Sequence, residues 1–533
     1  MRVIGFHCQG DLLVDSNGNT ERLDYLGFLL ADRPDSIKVF YNLDWAVARL
    51  VYLLEIPEDQ IRKFWATSKL YHRAHTVFFV PHRYLSVKYG KHFGEATFSD
   101  VYQYDPSLTF EIDALEAARK AAEIGTQVYE TLRMINLSPT SLSSPISVYQ
   151  KEILSTLDLP TYKDMPAEVS MYAHKALHGG WQECYKVGHF PQVYDYDLNS
   201  AFSYHTMNLI DTRRGKWINS DKFYSPRSAP YGFCDGIVVV DKDFNAAVTT
   251  VQVESGGEKT TIDITPTGQR PDCKTNAAIA HLYDTHTGRF KIKSGWYWVP
   301  DGPLVYPLKE HIERLFEWKS YLKGFQREII KRILVGLTGK LGETFKSEDQ
   351  PFGRLANFAW YSWVQDATKL QDADFAISNH AEDALLSIAV DGCSFNRKIE
   401  IPNSDDIGRW RLNTCAPAFV VSSGVGCIKG KDGKGAFSLT YDWLKEQINS
   451  NPEATEYTMQ KTTPITIGYA IKFNKLDKLG ELETTERAVI LNEIKRFYPE
   501  RPEKGSDLLN QYESSALDMS VVEAEKYFSI PDK

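Results

Sequence analysis

The sequence lacks the cysteine spacing of a metal cluster or a disulfide framework. Its 7 cysteines are scattered along 533 residues, and no two of them stand in C-x-x-C spacing. This usage is typical of a reducing compartment and argues against a zinc cluster or a disulfide-linked secreted protein. The first residues, MRVIGFHCQGD, also lack the apolar core of a signal peptide. We therefore expect a cytoplasmic protein.

Long apolar runs are missing as well. No segment approaches the roughly 20 apolar residues that a transmembrane helix requires, so we expect no membrane association. Apolar residues make up 43% of the chain and aromatic residues 13%, which is typical of a folded protein. A chain of this length exceeds one small core, so about two to four sub-domains are expected.

The sequence also lacks an excess of positive charge. Lys and Arg number 61 against 70 Asp and Glu, which gives a net charge of −9. The chain is therefore not a uniformly basic nucleic-acid-binding protein. This net charge is compatible with a local basic groove, because the electrostatic field near the binding surface matters more than the total charge.

Apolar patterning predicts a mixed α+β fold, without internal repeats. Residues 190–300 are rich in strand-like runs, and we interpret GEKTTIDITPTGQRPDCKTN at 257–276 as an exposed loop inserted among them. From 307 to 338 the pattern becomes helical, with Gly324 as the break between two helices. The segment after about 436 is predicted to be mostly helical.

Two carboxylates stand two residues apart in VYDYDLNSAFSYH, residues 193–205. In a β-strand, Asp195 and Asp197 would face the same side. Their neighbours are aromatic and aliphatic, and buried unpaired carboxylates cost several kcal/mol, which favours a metal or a cationic partner. The alternative is a pair of exposed acids on an edge strand.

A third carboxylate, Asp391, opens the turn of SIAVDGCSF, residues 387–395. An apolar strand that runs into Asp-Gly predicts a β-hairpin. One Asp in a turn is ordinary, because its side chain stabilises turns. Beside the first strand, however, such a hairpin could supply the second ligand of a two-metal phosphoryl-transfer site.

Basic residues recur every four positions in the helical segment, at Lys319, Lys323, Arg327 and Lys331. Neighbouring members of such a series share a helix face. The series indicates either a solvated amphipathic helix or a set of cations that binds a triphosphate. The small residues of LTGKLG, residues 337–342, would allow close approach of a bulky partner.

The order of these features resembles that of family B DNA polymerases, especially the short replicative enzymes of bacteriophages, viruses and linear plasmids. DLNSAF at 197–202 is similar to the palm motif D-x-x-S-L-Y. Residues 331–339 resemble the fingers motif K-x-x-x-N-S-x-Y-G, and DGCS at 391–394 resembles the D-T-D-S hairpin. ALHGGWQECYKVG at 176–188 is similar to the Y-x-G-G segment, and IKRFYPERP at 494–502 to the thumb region.

The resemblance implies an RNase H-like, exonuclease-like N-terminal domain followed by a right-hand palm, fingers and thumb. The segment 136–147, NLSPTSLSSPIS, marks the first boundary. The implied domains are 1–135 degenerate exonuclease-like domain, 136–190 connector, 191–306 first part of the palm with the loop insertion, 307–345 fingers, 346–435 second part of the palm, and 436–533 thumb.

The resemblance also implies a function, which is template-directed addition of dNTPs to a primer 3′ end by two-metal phosphoryl transfer. Primer–template DNA and dNTPs are the implied ligands, other replication proteins stay open as partners, and a monomer is expected. Asp197 and Asp391 would hold Mg²⁺, assisted by Asp195. The implied nucleotide-binding residues are Lys331, Lys323, Lys319, Leu198, Asn199, Ser200, Ala201, Phe202 and Gly339, and the implied DNA-binding residues are Gly179, Gly180 and Lys340.

Several positions depart from the family pattern. Cys393 stands where the family has a second hairpin Asp, and a soft thiolate is a poor Mg²⁺ ligand, so Mn²⁺ could be preferred. Val335, Gly336 and Thr338 replace the Asn, Ser and Tyr that pack on the nascent base pair. Only a short segment separates Gly342 from the predicted strand and helix around Trp360–Trp363, so the insertion of protein-primed members is expected to be absent, and the priming mode stays open.

The exonuclease-like region departs as well. YNLDW at 41–45 resembles the second exonuclease motif, but His7 and Gln9 stand where the first motif carries D-x-E. Because two-metal hydrolysis needs carboxylates there, we expect no proofreading. Two alternatives remain open, namely a catalytically degenerate protein that binds primer–template DNA and an RNase H-like nuclease.

Overall fold

The structure is a computed structural model that describes residues 2–32, 35–90, 93–104, 113–142, 144–255, 258–345, 351–402, 404–431, 439–491, 494–519 and 529–530. Among these residues, no helix combines the length and the apolar character needed to cross a membrane. The strands are β1 Arg2–Gln9, β2 Leu12–Asp15, β3 Thr20–Arg22, β4 Ser36–Phe40, β5 Lys69–His72, β6 His75–Val80, β7 Tyr84–Tyr89, β8 Phe93–Asp100, β9 Gln182–Cys184, β10 Lys186–Leu198, β11 Gly215–Ser220, β12 Tyr231–Val240, β13 Thr249–Ser255, β14 Glu258–Ile264, β15 Gly268–Thr275, β16 Gly288–Pro300, β17 Leu385–Ala389, β18 Gly392–Phe395, β19 Trp410–Ser422, β20 Val425–Ile428, β21 Glu456–Pro464, β22 Leu482–Ile490, β23 Gln511–Glu513 and β24 Ser529–Ile530.

Helices alternate with these strands along the chain. The α-helices are α1 Tyr25–Leu30, α2 Leu43–Leu53, α3 Glu58–Thr67, α4 Ala114–Met134, α5 Pro145–Glu152, α6 Ala167–Lys175, α7 Ala201–Met207, α8 Asn276–Asp284, α9 Lys309–Tyr321, α10 Gly324–Leu341, α11 Phe358–Ser378, α12 Tyr441–Ser450 and α13 Ile467–Lys472. The expectation of a mixed α/β chain is therefore confirmed.

An eight-stranded sheet fills the N-terminal region, in the order β3-β2-β1-β4-β8-β7-β6-β5. Strands β1, β4 and β8 are parallel neighbours, and the other pairs are antiparallel. The centre of β1 is buried along five consecutive residues, which is typical of a parallel strand covered on both faces. Helix α4 approaches β1 closely, because a Cβ at Gly5 would stand 1.9 Å from the carbonyl oxygen of Ala118.

A second sheet occupies the centre of the chain and carries the acidic strand. Its order is β20-β19-β10-β18-β17-β9, and β23 also pairs with β10. All of these pairs are antiparallel, and β17 and β18 form the hairpin that SIAVDGCSF predicted. Helix α11 packs against this sheet, with Phe375 stacked on Trp410 at 4.1 Å between ring centroids.

A third sheet, β11-β16-β12-β15, lies between the acidic strand and the paired helices in sequence. The interpretation of 257–276 as an exposed loop is wrong, because most of it forms β14 and β15. Arg270 and Lys274 of β15 are only 2% exposed, and both lie within 4 Å of the carboxylate of Asp272. The many polar residues of 257–276 suggested a loop. Ion pairs within one strand, however, make burial of the charged side chains possible.

Two helices, α9 and α10, form the segment for which the sequence predicted a pair of basic helices. The break predicted at Gly324 is confirmed, since Lys323 is extended and Gly324 has a φ of 53°. Helix α10 buries an apolar side in the largest core cluster, formed by Ile329, Ile330, Ile333, Leu334 and Leu337 together with α4, α5 and α11. Lys319 therefore lies on α9, Arg327 and Lys331 lie on α10, and Lys323 lies between the two helices.

The C-terminal segment is not mostly helical. Helix α12 is followed by the antiparallel pair β21 and β22, with the short helix α13 between them. Threonine-rich runs such as TMQKTT and ETTERAV favour strands, and the charges among them were misread as a helical pattern. The arm formed by 465–480 contacts the N-terminal sheet region, where Trp45 Nε1 donates to the carbonyl of Gly480 at 2.5 Å.

Candidate active site

The central sheet brings two of the predicted carboxylates together. Strand β10 carries Asp197. Its partner on β18 is Gly392, and Gly392 directly follows Asp391 in the chain. The backbone N–H of Leu198 also donates to the carbonyl of Asp391 at 3.0 Å. Asp197 and Asp391 line one cavity of about 300 Å³, and its lining is completed by residues 198–203, Lys319, Arg327, Lys331, Leu334, Val335 and Arg411.

Asp197 has a cationic partner that the sequence did not indicate. Arg411 lies opposite Asp197 on β19, and its Nη2 donates to Asp197 Oδ2 at 2.9 Å. Both side chains are about one third exposed, so water and ions reach this pair from the cavity. A divalent ion at Asp197 would therefore compete with, or share the carboxylate with, the Arg411 guanidinium.

Asp195 does not line this cavity, although it lies on the same strand. It is 2% exposed, and its carboxylate accepts from Ser394 Oγ at 2.9 Å and pairs with Lys431 Nζ at 3.2 Å. Asn413 Nδ2 adds a longer contact of 3.4 Å. The predicted role of Asp195 as an additional metal ligand is therefore corrected, because a lysine far along the chain supplies its counterion.

Cys393 also lies away from the cavity. It is opposite Tyr196 on β10, and paired residues of antiparallel strands face the same side of a sheet. That side is the core, where Cys393 is fully buried in one cluster with Tyr196 and Phe395. Cys393 therefore does not line the cavity with Asp197 and Asp391, and a preference for Mn²⁺ stays a prediction.

Three of the four predicted cations, including Arg327, line the cavity, and one does not. Lys319 is 6% exposed, and its Nζ donates to Ser200 Oγ at 2.6 Å and to Asn199 Oδ1 at 3.2 Å. Burial, together with nearby cations of which Arg327 is the first, lowers the pKa of Lys319 to about 8. Lys323 precedes α10, is exposed and does not line the cavity. Lys331 lies half-exposed at the rim.

The turn after Asp197 forms one wall of the cavity. Ser200 adopts the left-handed conformation, with a φ of 55°, and helix α7 begins at the next residue. The backbone of 198–202 therefore lies where the resemblance places nucleotide-binding amides, and Phe202 lines the same wall. Val335 of α10 lies at the cavity as well and is 53% exposed.

The end of helix α10 does not reach the cavity. Thr338 is buried and its hydroxyl contacts that of Thr206 at 2.8 Å, so the side chain is engaged with α7. Gly339 is exposed with open space around it. Lys340 is 8% exposed and pairs with Glu343, which leaves it poorly placed for DNA.

Gly179 and Gly180, predicted to contact DNA, lie against structural neighbours. The N–H of Gly179 donates to Asp263 Oδ2 at 2.9 Å. A Cβ at Gly180 would stand 3.1 Å from both γ-carbons of Val390, at the tip of the hairpin that carries Asp391. The glycine pair therefore permits a close approach to that hairpin, and its role toward DNA stays a prediction.

The N-terminal sheet places its predicted residues as follows. His7 is 3% exposed, its Nδ1 lies 2.9 Å from the carbonyl oxygen of Tyr41, and burial lowers its pKa. Gln9 is exposed. Asp44, by contrast, lies close to His82 and Asp100, with candidate ligand atoms all within 4.8 Å of one another.

Asp44 and Asp100 also have structural partners. Asp44 accepts from the backbone N–H of His82 at 2.8 Å, and Asp100 accepts from those of Leu43 and Tyr102 at 3.2 and 2.9 Å. Burial raises the pKa of Asp100 to about 7. These contacts hold the start of α2 and the turn at His82.

Arg411 was missed because nothing in WRLNT marks it. It is the single charged residue of β19, in a polar stretch without a recognisable motif, and only the register of β19 against β10 shows that it faces Asp197. Arg327 was recognised as part of the basic series but was not assigned to the site.

The whole chain was compared with known proteins. No protein-family model matches the sequence, and no curated protein matches it. Among solved structures, Phi29 DNA polymerase in an orthorhombic crystal form aligns with a TM-score of 0.62 and 11% identity, over 92% of this chain and 100% of that chain. Its complex with primer-template DNA and incoming nucleotide substrates aligns with 0.61 and 11%, over 92% and 99%. At this level of identity the similarity concerns the fold alone, and the chain therefore has the fold of Phi29 DNA polymerase.

Proposed function

We propose that this protein is a template-directed DNA polymerase that adds dNTPs to a primer 3′ end. The observation that carries the proposal is one cavity in which Asp197 and Asp391 lie together with Lys319, Arg327 and Lys331. Carboxylates facing cations are the groups that phosphoryl transfer requires, because there is little covalent chemistry for the protein to perform.

The proposed domains follow the resemblance. The eight-stranded sheet corresponds to an exonuclease-like, RNase H-like domain, the central sheet to the palm, α9 and α10 to the fingers, and the segment from α12 onward to the thumb. Primer–template DNA is the proposed partner. The Phi29 polymerase structures that share the fold include complexes with primer-template DNA and with single-stranded DNA, which supports this assignment.

The two acids of the cavity suit a hard divalent ion. Asp197 and Asp391 offer carboxylate oxygens, and no cysteine lines the cavity. This donor set fits Mg²⁺, which prefers oxygen ligands. When bound there, Mg²⁺ would activate the primer hydroxyl and neutralise charge on the triphosphate.

The remaining lining residues would bind and orient the nucleotide. Lys319, Arg327 and Lys331 present cations to the phosphates, and backbone N–H groups of 200–202 can donate to phosphate oxygens, whereas those of Leu198 and Asn199 already donate to the carbonyls of Asp391 and Arg409. Phe202, five residues after Asp197, would place its ring against the sugar. Arg411 would hold the Asp197 carboxylate in place until the ion binds.

Primer extension with purified protein in Mg²⁺ and in Mn²⁺ tests the proposal. Asp197→Ala and Asp391→Ala should each abolish extension, because each removes one carboxylate from the cavity. Asp195→Asn is the matched control from the same strand, and it should retain extension. A wild-type protein that binds primer–template DNA but extends it in neither ion would instead favour the alternative, a degenerate DNA-binding protein.

We further propose that the N-terminal domain does not proofread, because His7 and Gln9 supply no carboxylate on β1. The cluster of Asp44, His82 and Asp100 favours a second candidate, a metal-dependent nuclease. A 3′-labelled single strand should stay intact in Mg²⁺ or Mn²⁺. Degradation that is lost in Asp44→Ala would overturn this part of the proposal and support the nuclease.

A further inference from the structure

The tip of the β17–β18 hairpin has an unusual backbone. Val390 has a φ of 67°, and the N–H of Asp391 donates to the carbonyl of Ala389 at 2.9 Å. A bond from residue i+2 back to residue i, around a central residue of positive φ, is a rare and strained γ-turn. For a β-branched residue this conformation is a genuine outlier. Such strain persists only where the surroundings hold it in place.

The Gly180–Trp181 segment holds this turn from outside. The N–H of Val390 donates to the carbonyl of Trp181 at 2.7 Å. Gly180 lies so close that a Cβ there would stand 3.1 Å from both γ-carbons of Val390 and 3.5 Å from its Cβ. Trp181 is itself fixed, since it is 1% exposed and its Nε1 donates to Glu183 Oε2 at 2.8 Å.

The inner side of the turn is fixed to the acidic strand. The carbonyl of Asp391 accepts from the N–H of Leu198, the residue after Asp197. The position of the Asp391 carboxylate therefore depends on two backbone bonds, one from Val390 to the Gly180–Trp181 segment and one to β10. A small displacement at Val390 would move Asp391 relative to Asp197.

We propose that Gly180 and Trp181 are positioning residues, which hold the strained turn at Val390 so that Asp391 and Asp197 can bind one divalent ion. This inference rests on the proposed function for its catalytic meaning, but it concerns ion binding and can be tested without turnover. It gives the glycine a role toward the hairpin rather than toward DNA.

A double-mutant cycle tests the contact between Gly180 and Val390. Gly180 does not have a positive φ, so alanine there adds a Cβ without backbone strain. Gly180→Ala should weaken ion binding, because the new Cβ meets both Val390 γ-carbons. In Gly180→Ala/Val390→Ala those carbons are absent and the remaining 3.5 Å contact is ordinary, so binding should return to that of Val390→Ala.

The readout is Mn²⁺ binding measured by electron paramagnetic resonance. The Mn²⁺ ions that the wild type binds and Asp197→Ala does not bind are assigned to this site. Gly180→Ala should weaken this binding by about fivefold or more, the size expected for coupled neighbours. Gly179→Ala is the matched control, since its Cβ would meet Asp263 rather than the hairpin. Where extension occurs, the Mg²⁺ concentration at half-maximal rate should rise in the same proportion.

Each outcome decides the proposal. Unchanged Mn²⁺ binding in Gly180→Ala, or a loss that Val390→Ala does not rescue, overturns it, as does a wild-type protein with no Asp197-dependent ion. A loss of primer–template affinity without any change in ion binding would assign Gly180 to DNA. If Gly180→Ala alone does not fold but Gly180→Ala/Val390→Ala does, the result supports the contact between Gly180 and Val390. A wild type that binds the ion but does not extend a primer refutes the proposed function and leaves this inference standing.

Discussion

Replacing Lys319 by arginine should remove a pH dependence from nucleotide binding. Lys319 is almost fully buried and lies among Arg327, Lys331 and Arg411, and burial is the main reason why its pKa falls to about 8. Its protonated form donates to Ser200 and Asn199 at the cavity wall. A triphosphate needs the charged form, so affinity should be complete below pH 8 and should be lost as the pH rises through this value.

The magnitude follows from the fraction of lysine that is protonated. One pH unit above its pKa about nine tenths of the side chains are neutral, so affinity for dNTP should fall about tenfold between pH 7 and 9. Arginine stays charged throughout this range, so Lys319→Arg should show a much smaller change. Each variant is compared with itself across pH, because a poorer fit of arginine lowers its affinity at every pH.

The assay is equilibrium dNTP binding to the protein on primer–template DNA with a dideoxy-terminated primer, which prevents turnover. A flat wild-type profile would show that Lys319 does not titrate near pH 8 in this complex. An equal fall in Lys319→Arg would assign the pH dependence to another group. Either result refutes the reasoning.

Three further perturbations have defined outcomes. Lys331→Ala should cost about 1.5–3 kcal/mol in dNTP binding and transition-state stabilisation, seen as a lower kcat/KM with unchanged DNA affinity, whereas Lys323→Ala, outside the cavity, should not. Phe202→Val should admit ribonucleotides better, and an unchanged dNTP to rNTP ratio in competitive extension would contradict its place at the sugar. Asp372 is fully buried, its carboxylate has no hydrogen-bond partner among the described residues, and burial raises its pKa. Its folded form retains a proton that the unfolded chain releases, so stability falls by about 1.4 kcal/mol per pH unit above pH 3.8 until the folded group ionises. Asp372→Asn should remove this part of the slope in urea unfolding at several pH values.

Sequence patterns located Asp197 and Asp391 because each stands in a strong local context. The first follows a strand of aromatic and aliphatic residues, and the second opens a turn after an apolar run. Local patterns fix secondary structure, and the antiparallel pairing of two such strands then brings their ends together. The break at Gly324 was predictable for the same reason, since glycine readily adopts a positive φ.

Partners that are distant in sequence could not be predicted. Asp195 and Asp197 stand two residues apart on one strand and have similar neighbours in sequence. Lys431 nevertheless pairs with Asp195, and Arg411 pairs with Asp197. Cys393 was assigned by counting along the D-T-D-S pattern, but its side of the sheet is set by its pairing with Tyr196. Counting along a motif cannot give that register, because β10 and β18 are distant in sequence.

The charges in the cavity support the proposed ligand independently of any similarity. Among the residues that line the cavity, the cations Lys319, Arg327, Lys331 and Arg411 outnumber two carboxylates, and the exposed Glu328 lies 3.8 and 3.7 Å from Arg327 and Lys331. Burial, and after it like charges, lower the pKa of Lys319, so a bound anion would favour its charged form. The carboxylates, in turn, need a cation. A triphosphate that brings a divalent ion satisfies both requirements at once, whereas a neutral substrate satisfies neither.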